Sequence, residues 1–341
     1  MKIFQCPNCA SSIFFENTRC IKCNNVLGYN VNTDEFDLPK GYNSIQTTNL
    51  KFCHNYQFSV CNWLIEDNGV NKFCKACELN RKVPNQSDTE GFKKWQKLET
   101  AKHRLIYQLI KLKLPIDSRF NKENGIAFDF ISENNKDKLV TGHSNGVITI
   151  LLSEADSVHR EQLKKQMHEL YRTLLGHFRH EIGHYYWMLL FESQDNLQAF
   201  RIFFGDETQD YSLALETHYK NGAPSNWNQK FISKYASSHP WEDWAETWAH
   251  YLHIMDTLET GHNLGLTFTD SLAQNHLIRA TTCPNPYTTD DFKTIFDANM
   301  QLTSAVNSLN RSMGVPDIYP FIVPNEVFKK LDFIHHLLLK G

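Results

Sequence analysis

His180-Glu181-Ile182-Gly183-His184 is the stretch on which the reading of this chain turns. In a helix, residues four apart lie one turn above each other on the same face, so the two imidazoles can converge on a single metal ion. Glu181 is then placed to act on a water at that metal. This is the metallohydrolase pattern, in which the ion activates a water and a carboxylate takes its proton. The flanking residues favour a helix. Leu163, Met167, Leu170, Leu174, Leu175, Phe178, Ile182, Tyr186 and Leu190 recur at steps of three and four, which predicts one helix from about Arg160 to Phe191. Gly176 and Gly183 each weaken it by about 1 kcal/mol relative to alanine, and Gly183 leaves room for another segment to approach.

A hydrolytic zinc takes three protein donors and keeps one position for water, so a third donor is required. His177 shares the face of His180, but it stands about 10 Å along the helix axis from His184, too far for bonds of about 2 Å to one ion. It is read as a packed or substrate-facing histidine. The stretch His239-Pro-Trp-Glu-Asp-Trp-Ala-Glu-Thr-Trp-Ala-His-Tyr-Leu-His253 offers a better donor. Pro240 suits the first turn of a helix, and Ser238 or His239 can cap it. Glu242 then falls early in that helix, with Glu246 one turn later on the same face. Glu242 can bind the metal while Glu246 accepts the N–H of a metal-binding histidine. Asp243, about 100° round the helix, is the alternative donor. Trp241, Trp244, Trp248, Tyr251 and Leu252 make the same helix largely buried, and buried carboxylates need partners.

Eight of the nine cysteines fall within the first 77 residues at metal-ligand spacing, which favours thiolates on zinc over disulfides. Cys6-Pro-Asn-Cys9 and Cys20-Ile-Lys-Cys23 have the spacing of a zinc ribbon. Cys53, Cys61, Cys74 and Cys77 form a second quartet, although His54 competes with Cys53. Such short segments cannot bury enough surface to offset chain entropy, so metal binding supplies much of their folding energy. Closed four-thiolate sites leave no position for water and are expected to be structural. Cys283 is left over as a core or loop thiol. Arg81 to Ser87 reads as a linker, and a helical segment from about Glu90 to Lys113 follows.

The stretches HEIGHYYW (180–187) and HPWEDWAETWAHYLH (239–253), together with CPNC (6–9) and CKACELNRKVP (74–84), resemble a bacterial family of zinc-binding metallopeptidases with an N-terminal zinc-ribbon region. The likeness spans nearly the whole chain. It extends to the segment beginning Tyr171-Arg-Thr-Leu-Leu-Gly-His, to Phe204-Gly-Asp-Glu-Thr-Gln-Asp-Tyr211 and to Tyr319-Pro-Phe321. It implies the reaction class and supplies no substrate. A more distant likeness is to the glutamate-zincins, in which the third ligand opens a Glu-x-x-x-Glu helix and a tyrosine seven residues earlier supports the oxyanion. That likeness implies Glu242 as ligand, Glu246 as the partner of a ligating histidine, and Tyr235 as the oxyanion donor.

The expected fold is α+β, a zincin-like and mostly helical metallopeptidase domain with a small mixed sheet, preceded by two small zinc-ribbon modules. The expected boundaries are 1–47, 48–88 and 89–341. Gly146 to Ser153 reads as a strand entering the metal helix, either an edge that pairs with a peptide substrate or an internal core strand. Amphipathic helices are expected from about Asp290 to Ser312 and from Asn325 to Leu339, covering the catalytic core. The formal net charge of −3 and the scattered basic residues near the ribbons do not make nucleic acid or an anionic membrane an expected partner. With no apolar run of about 20 residues and no secretory signal at the start, a cytoplasmic protein is expected. The expected function is zinc-dependent hydrolysis of peptide or other amide bonds, with one catalytic and two structural Zn2+ ions. The substrate would be a peptide or protein, and the ribbons could hold a protein partner. The alternative is a zinc-ribbon adaptor whose zincin domain binds peptides without cutting them.

Overall fold

Closely spaced cysteines and turn residues leave room only for very short strands at the N-terminus. The computed structural model describes residues 1–42, 49–132, 141–166, 172–269 and 281–339, in two compact units, Met1–Asp156 and Ser157–Gly341. In the first unit, β1 (Phe4–Gln5) pairs with β2 (Ser12–Ile13), β3 (Gly28–Asn30) with β4 (Glu35–Asp37), and β5 (Leu50–Phe52) with β6 (Leu64–Glu66), all antiparallel. Two-stranded ribbons this small cannot enclose a core. Their aromatic side chains therefore pool: Phe15 and Tyr29 pack against Trp63 and against Tyr107, which comes from helix α1 (Thr89–Lys111). The Asn62 amide donates to Phe15 O at 2.6 Å and Asn17 O at 3.1 Å, joining the two cysteine-bearing segments. Asp88 caps α1 by accepting from Gly91 N at 2.9 Å.

The remaining strands of this unit, β7 (Asn80–Lys82), β8 (Ala127–Ile131), β9 (Gly142–Ser144) and β10 (Val147–Leu151), form one sheet in the order β7-β8-β10-β9. Two expectations are corrected here. Arg81 and Lys82 belong to a strand rather than a linker, and Arg81 Nε donates to the buried Asp129 carboxylate at 2.8 Å. The run from Gly146 to Ser153 is no edge for a peptide, because β10 lies between β8, to which it is parallel, and β9, to which it is antiparallel. Val147, Ile148, Ile150 and Leu151 are all buried, and burial on both faces is why the run is almost continuously apolar.

In the second unit the periodicity from Arg160 to Phe191 does not make one helix. It gives α2 (Ser157–Gln166) and α3 (Leu174–Leu190). Thr173 is extended, with φ −123° and ψ 158°, and its hydroxyl accepts from Gly176 N at 3.0 Å, so a helix starts there. Met167, Leu170 and Tyr171 lie outside the described residues. Next come α4 (Gln194–Phe204), α5 (Tyr211–Asn221), the single turn α6 (Trp227–Lys230) and α7 (Pro240–Asn263). A two-stranded pair, β11 (Thr267–Phe268) and β12 (Thr281–Thr282), then precedes α8 (Phe292–Ser312) and α9 (Asn325–Leu339). The described residues thus make a mixed fold, rich in helix with small sheets, consistent with α+β. None of their helices is long and apolar enough to cross a membrane.

Helix α7 is the hub, packed on α3, α4, α8 and α9, with Trp244 and Trp248 wholly buried. It crosses α3 at Gly183, where a Cβ would stand 3.1 Å from Ala245 Cα and 3.2 Å from Trp248 Cδ1. The indole of Trp244 donates to Gly183 O at 2.9 Å. A side chain at position 183 would push the helices apart, so glycine there sets how closely they approach. On another face of α7, Asp243 meets Lys330 of α9 at 2.6 Å, and the Lys330 ammonium also donates to Lys230 O at 2.8 Å. Both side chains are buried, and breaking a buried pair leaves a charge uncompensated. Lys330→Met is expected to lower stability by about 3–5 kcal/mol, read from urea unfolding. Adding Asp243→Asn should restore most of that loss.

Candidate metal centre

The crossing of α3 and α7 brings three donor side chains to one point. Thr173 and Pro240 set where the two helices begin, and hence which way their side chains face. His180 and His184 then project one turn apart from α3 and meet Glu242 from the first turn of α7. His180 Nε2 and His184 Nε2 are 3.2 Å apart, and Glu242 Oε2 lies 3.1 Å from the first and 3.6 Å from the second. Bonds of about 2.0–2.1 Å to a tetrahedral zinc place neighbouring donors about 3.3–3.4 Å apart, so the three atoms have the separation that such an ion requires. Glu242 is 1% exposed, and its Oε2 has no hydrogen-bond donor among the described residues. A buried, ionised oxygen that faces two imidazole nitrogens suits a site meant for a cation.

Supporting contacts surround this cluster. His180 Nδ1 donates to Glu246 Oε1 at 2.8 Å, which leaves Nε2 facing Glu242, and Ser233 Oγ donates to the other Glu246 oxygen at 2.7 Å. Burial opposes charge on His180, yet the close Glu242 carboxylate, the hydrogen bond to Glu246 and the negative charge of both carry its pKa well above the usual value. Burial likewise opposes ionisation of Glu242, and the two histidines bring its pKa well below the carboxylate range. Glu181 is buried beside the cluster, with His177 Nε2 3.3 Å from its Oε1. Burial pushes the Glu181 pKa up, but the His177 contact and the charge on His180, His177 and His184 bring it below its ordinary value. Tyr235 stands with its ring centroid 6.0 Å from that of His180. Asp243, the alternative donor, faces Lys330 and is not among the converging atoms.

Two neighbours were given no role from sequence. Ser233 holds Glu246. His177, read as packed or substrate-facing, lies against Glu181. Tyr211 donates to Glu242 Oε1 at 2.6 Å; it closes the Phe204–Tyr211 stretch already noted for its resemblance, which carried no role.

The first unit holds both cysteine quartets, and all eight thiols are free. In each quartet the four sulfurs lie within 4.8 Å of one another. Cys6 and Cys23 are 3.7 Å apart, Cys9 and Cys20 3.5 Å, Cys61 and Cys74 3.7 Å. Four sulfurs on one zinc at about 2.3 Å stand about 3.8 Å apart, so these separations fit a shared ion. His54 lies outside the second quartet, with Gln57 and the rings of Phe58 and Phe73 around it. Instead His103 of α1 comes within 3.7 Å of Cys77 Sγ, its Nδ1 donating to Glu99 O at 2.8 Å. Burial disfavours charge on His103, and negative charge at Cys77 raises its pKa despite that. No motif in the sequence joins His103 to Cys77, because the contact depends on how α1 packs.

Comparison with known proteins gives consistent results along the chain. Residues 3–88 match a zinc-ribbon domain, and residues 91–337 match the family described as "Putative zinc-binding metallo-peptidase". The family match thus begins within α1, whereas the compact units part at Asp156. Proteins of Mycobacterium bovis and of two strains of Mycobacterium tuberculosis, each described as uncharacterized, are 42% identical over 98% of this chain and 94% of their own length. No solved structure matches. With nearly three quarters of its length inside the peptidase match and a ribbon match before it, the chain belongs to this family of zinc-binding metallopeptidases.

Proposed function

We propose that the protein is a zincin-like, zinc-dependent peptidase of glutamate-zincin type that hydrolyses peptide bonds in peptide or protein substrates. His180, His184 and Glu242 hold the catalytic metal, and Glu181 is the general base. The observation that carries this reading is the bare Oε2 of Glu242, set at zinc-donor separation from two imidazole nitrogens with a second carboxylate beside them. Zinc in that position supplies Lewis-acid polarisation of the scissile carbonyl and makes water acidic enough to attack at neutral pH.

The protein's own groups do the rest. Glu181, ionised at neutral pH, accepts the proton of the attacking water on a carboxylate oxygen and passes it to the leaving amine nitrogen. Tyr235 donates a hydrogen bond to the oxyanion, and burial first, then the charge of Glu242, raises its pKa so that the phenol keeps its proton. Glu246, held by Ser233, fixes the ring orientation of His180. Each cysteine quartet holds a structural zinc, and such thiolate sites persist in a reducing compartment such as the cytoplasm.

Glu181→Gln is expected to keep its full zinc content and to lose about 10²–10⁴-fold in the rate of cleavage of a quenched fluorescent peptide pool. Unchanged cleavage would remove Glu181 from the mechanism. Glu242→Ala is expected to lose about one equivalent of zinc, with both cysteine sites still filled. Elemental analysis reads this directly, and full zinc content in that variant would place the metal elsewhere.

A further inference from the structure

The two carboxylate oxygens of Glu242 have unlike surroundings. Oε2 faces the two histidine nitrogens and has no hydrogen-bond donor among the described residues. Oε1 accepts a hydrogen bond of 2.6 Å from the Tyr211 hydroxyl. Tyr211 opens α5, a helix with no fully buried residue, so the packing of α5 does not place it. Its position comes from the segment just before. His239 Nδ1 accepts from Trp241 N at 3.1 Å, capping α7, so the ring proton sits on Nε2, which donates to Gln209 O at 3.2 Å. Asp210 then caps α5 by accepting from Leu213 N at 2.9 Å. The Tyr211 ring rests against His239 and Trp241, with centroids 5.2 and 5.9 Å apart. One histidine thus both starts the helix that carries Glu242 and anchors the segment that carries Tyr211.

We infer that Tyr211 is a positioning residue that confines Glu242 to a single metal-binding oxygen; the inference rests on the metal reading above. A carboxylate can offer a metal one oxygen or two, and the second would fill the position that water and substrate need. A phenol on Oε1 favours the one-oxygen mode. The two tyrosines thus have separate tasks, Tyr235 toward the substrate oxyanion and Tyr211 toward the carboxylate.

The test is Tyr211→Phe in the full chain loaded with cobalt(II), whose visible absorption weakens as coordination rises from four to five. Subtracting the spectrum of His180→Ala removes the contribution of cysteine-bound cobalt. The expected result is a weaker difference band, together with a loss of about 10–100-fold in zinc affinity or in kcat at unchanged KM. A difference band and zinc affinity that both match the parent protein in Tyr211→Phe overturn the inference while leaving the peptidase reading intact. If the parent protein itself gives no difference band against His180→Ala, the metal reading falls and this inference falls with it.

Discussion

A carboxylate oxygen that accepts no hydrogen bond from the described residues, in a residue only 1% exposed, is the feature around which the second unit is arranged. Leaving a buried acceptor unsatisfied costs about 1–3 kcal/mol, and more when it is charged. A chain that tolerates this needs either a compensating cation or a packing arrangement that leaves no alternative. Glu242 sits in the first turn of α7, behind Pro240 and the cap of His239, where the backbone direction is already set. Its side chain is buried beside the close crossing of α3 and α7 at Gly183 and Ala245. The helix crossing that creates the problem also supplies the two imidazoles that share a point with the stranded oxygen.

The acids of α7 show how one helix can separate structural from chemical charge. Glu242 and Asp243 are adjacent in sequence and turned apart by the helical step. Asp243 goes to the Lys330 ammonium, a strong partner that ties α9 to α7. Burial still pushes Asp243 up to about 7, and the lysine works against that push. Glu242 has only neutral or titratable partners, a phenol and two imidazoles. A lysine in the place of those imidazoles would have satisfied the carboxylate outright and left nothing for a cation to do. Glu246, one turn on, is shared between His180 and Ser233, so its charge serves to orient a ring.

Much of this centre is legible in the sequence because it is local to helices. The spacing of His180 and His184 and that of Glu242 and Glu246 follow from the helical repeat alone, and the resemblance pointed to Tyr235. Helices α8 and α9 were visible in the same way, with Asp291 supplying the cap that starts α8. The failures have a common cause. Apolar periodicity runs straight through Thr173, where a side-chain cap overrides it, so the pattern alone predicts one helix in place of two. An almost wholly apolar strand does not say whether it lies at an edge or inside a sheet, and β10 turned out to be inside. Tyr211, Ser233 and His103 reach their partners from 31, 13 and 26 residues away. Such contacts depend on tertiary packing, and no local pattern announces them.

The cysteine quartets obey the same geometric test as the histidine cluster, and the comparison separates two kinds of site. In each quartet four soft donors lie at the spacing of a closed tetrahedron, and in the second all four are buried. A closed site has no vertex for water, so whatever metal it holds can only fold the chain. That suits segments whose strands are two or three residues long and whose aromatic core is completed by Tyr107 of α1. The histidine cluster has three donors, hard or borderline, two of them partly exposed, with an ionised carboxylate next to them. In the proposed reading, a metal held by three donors, two of them partly exposed, would keep a vertex open. The number of donors and their exposure, more than the identity of the metal, would set one site to holding the chain together and the other to chemistry.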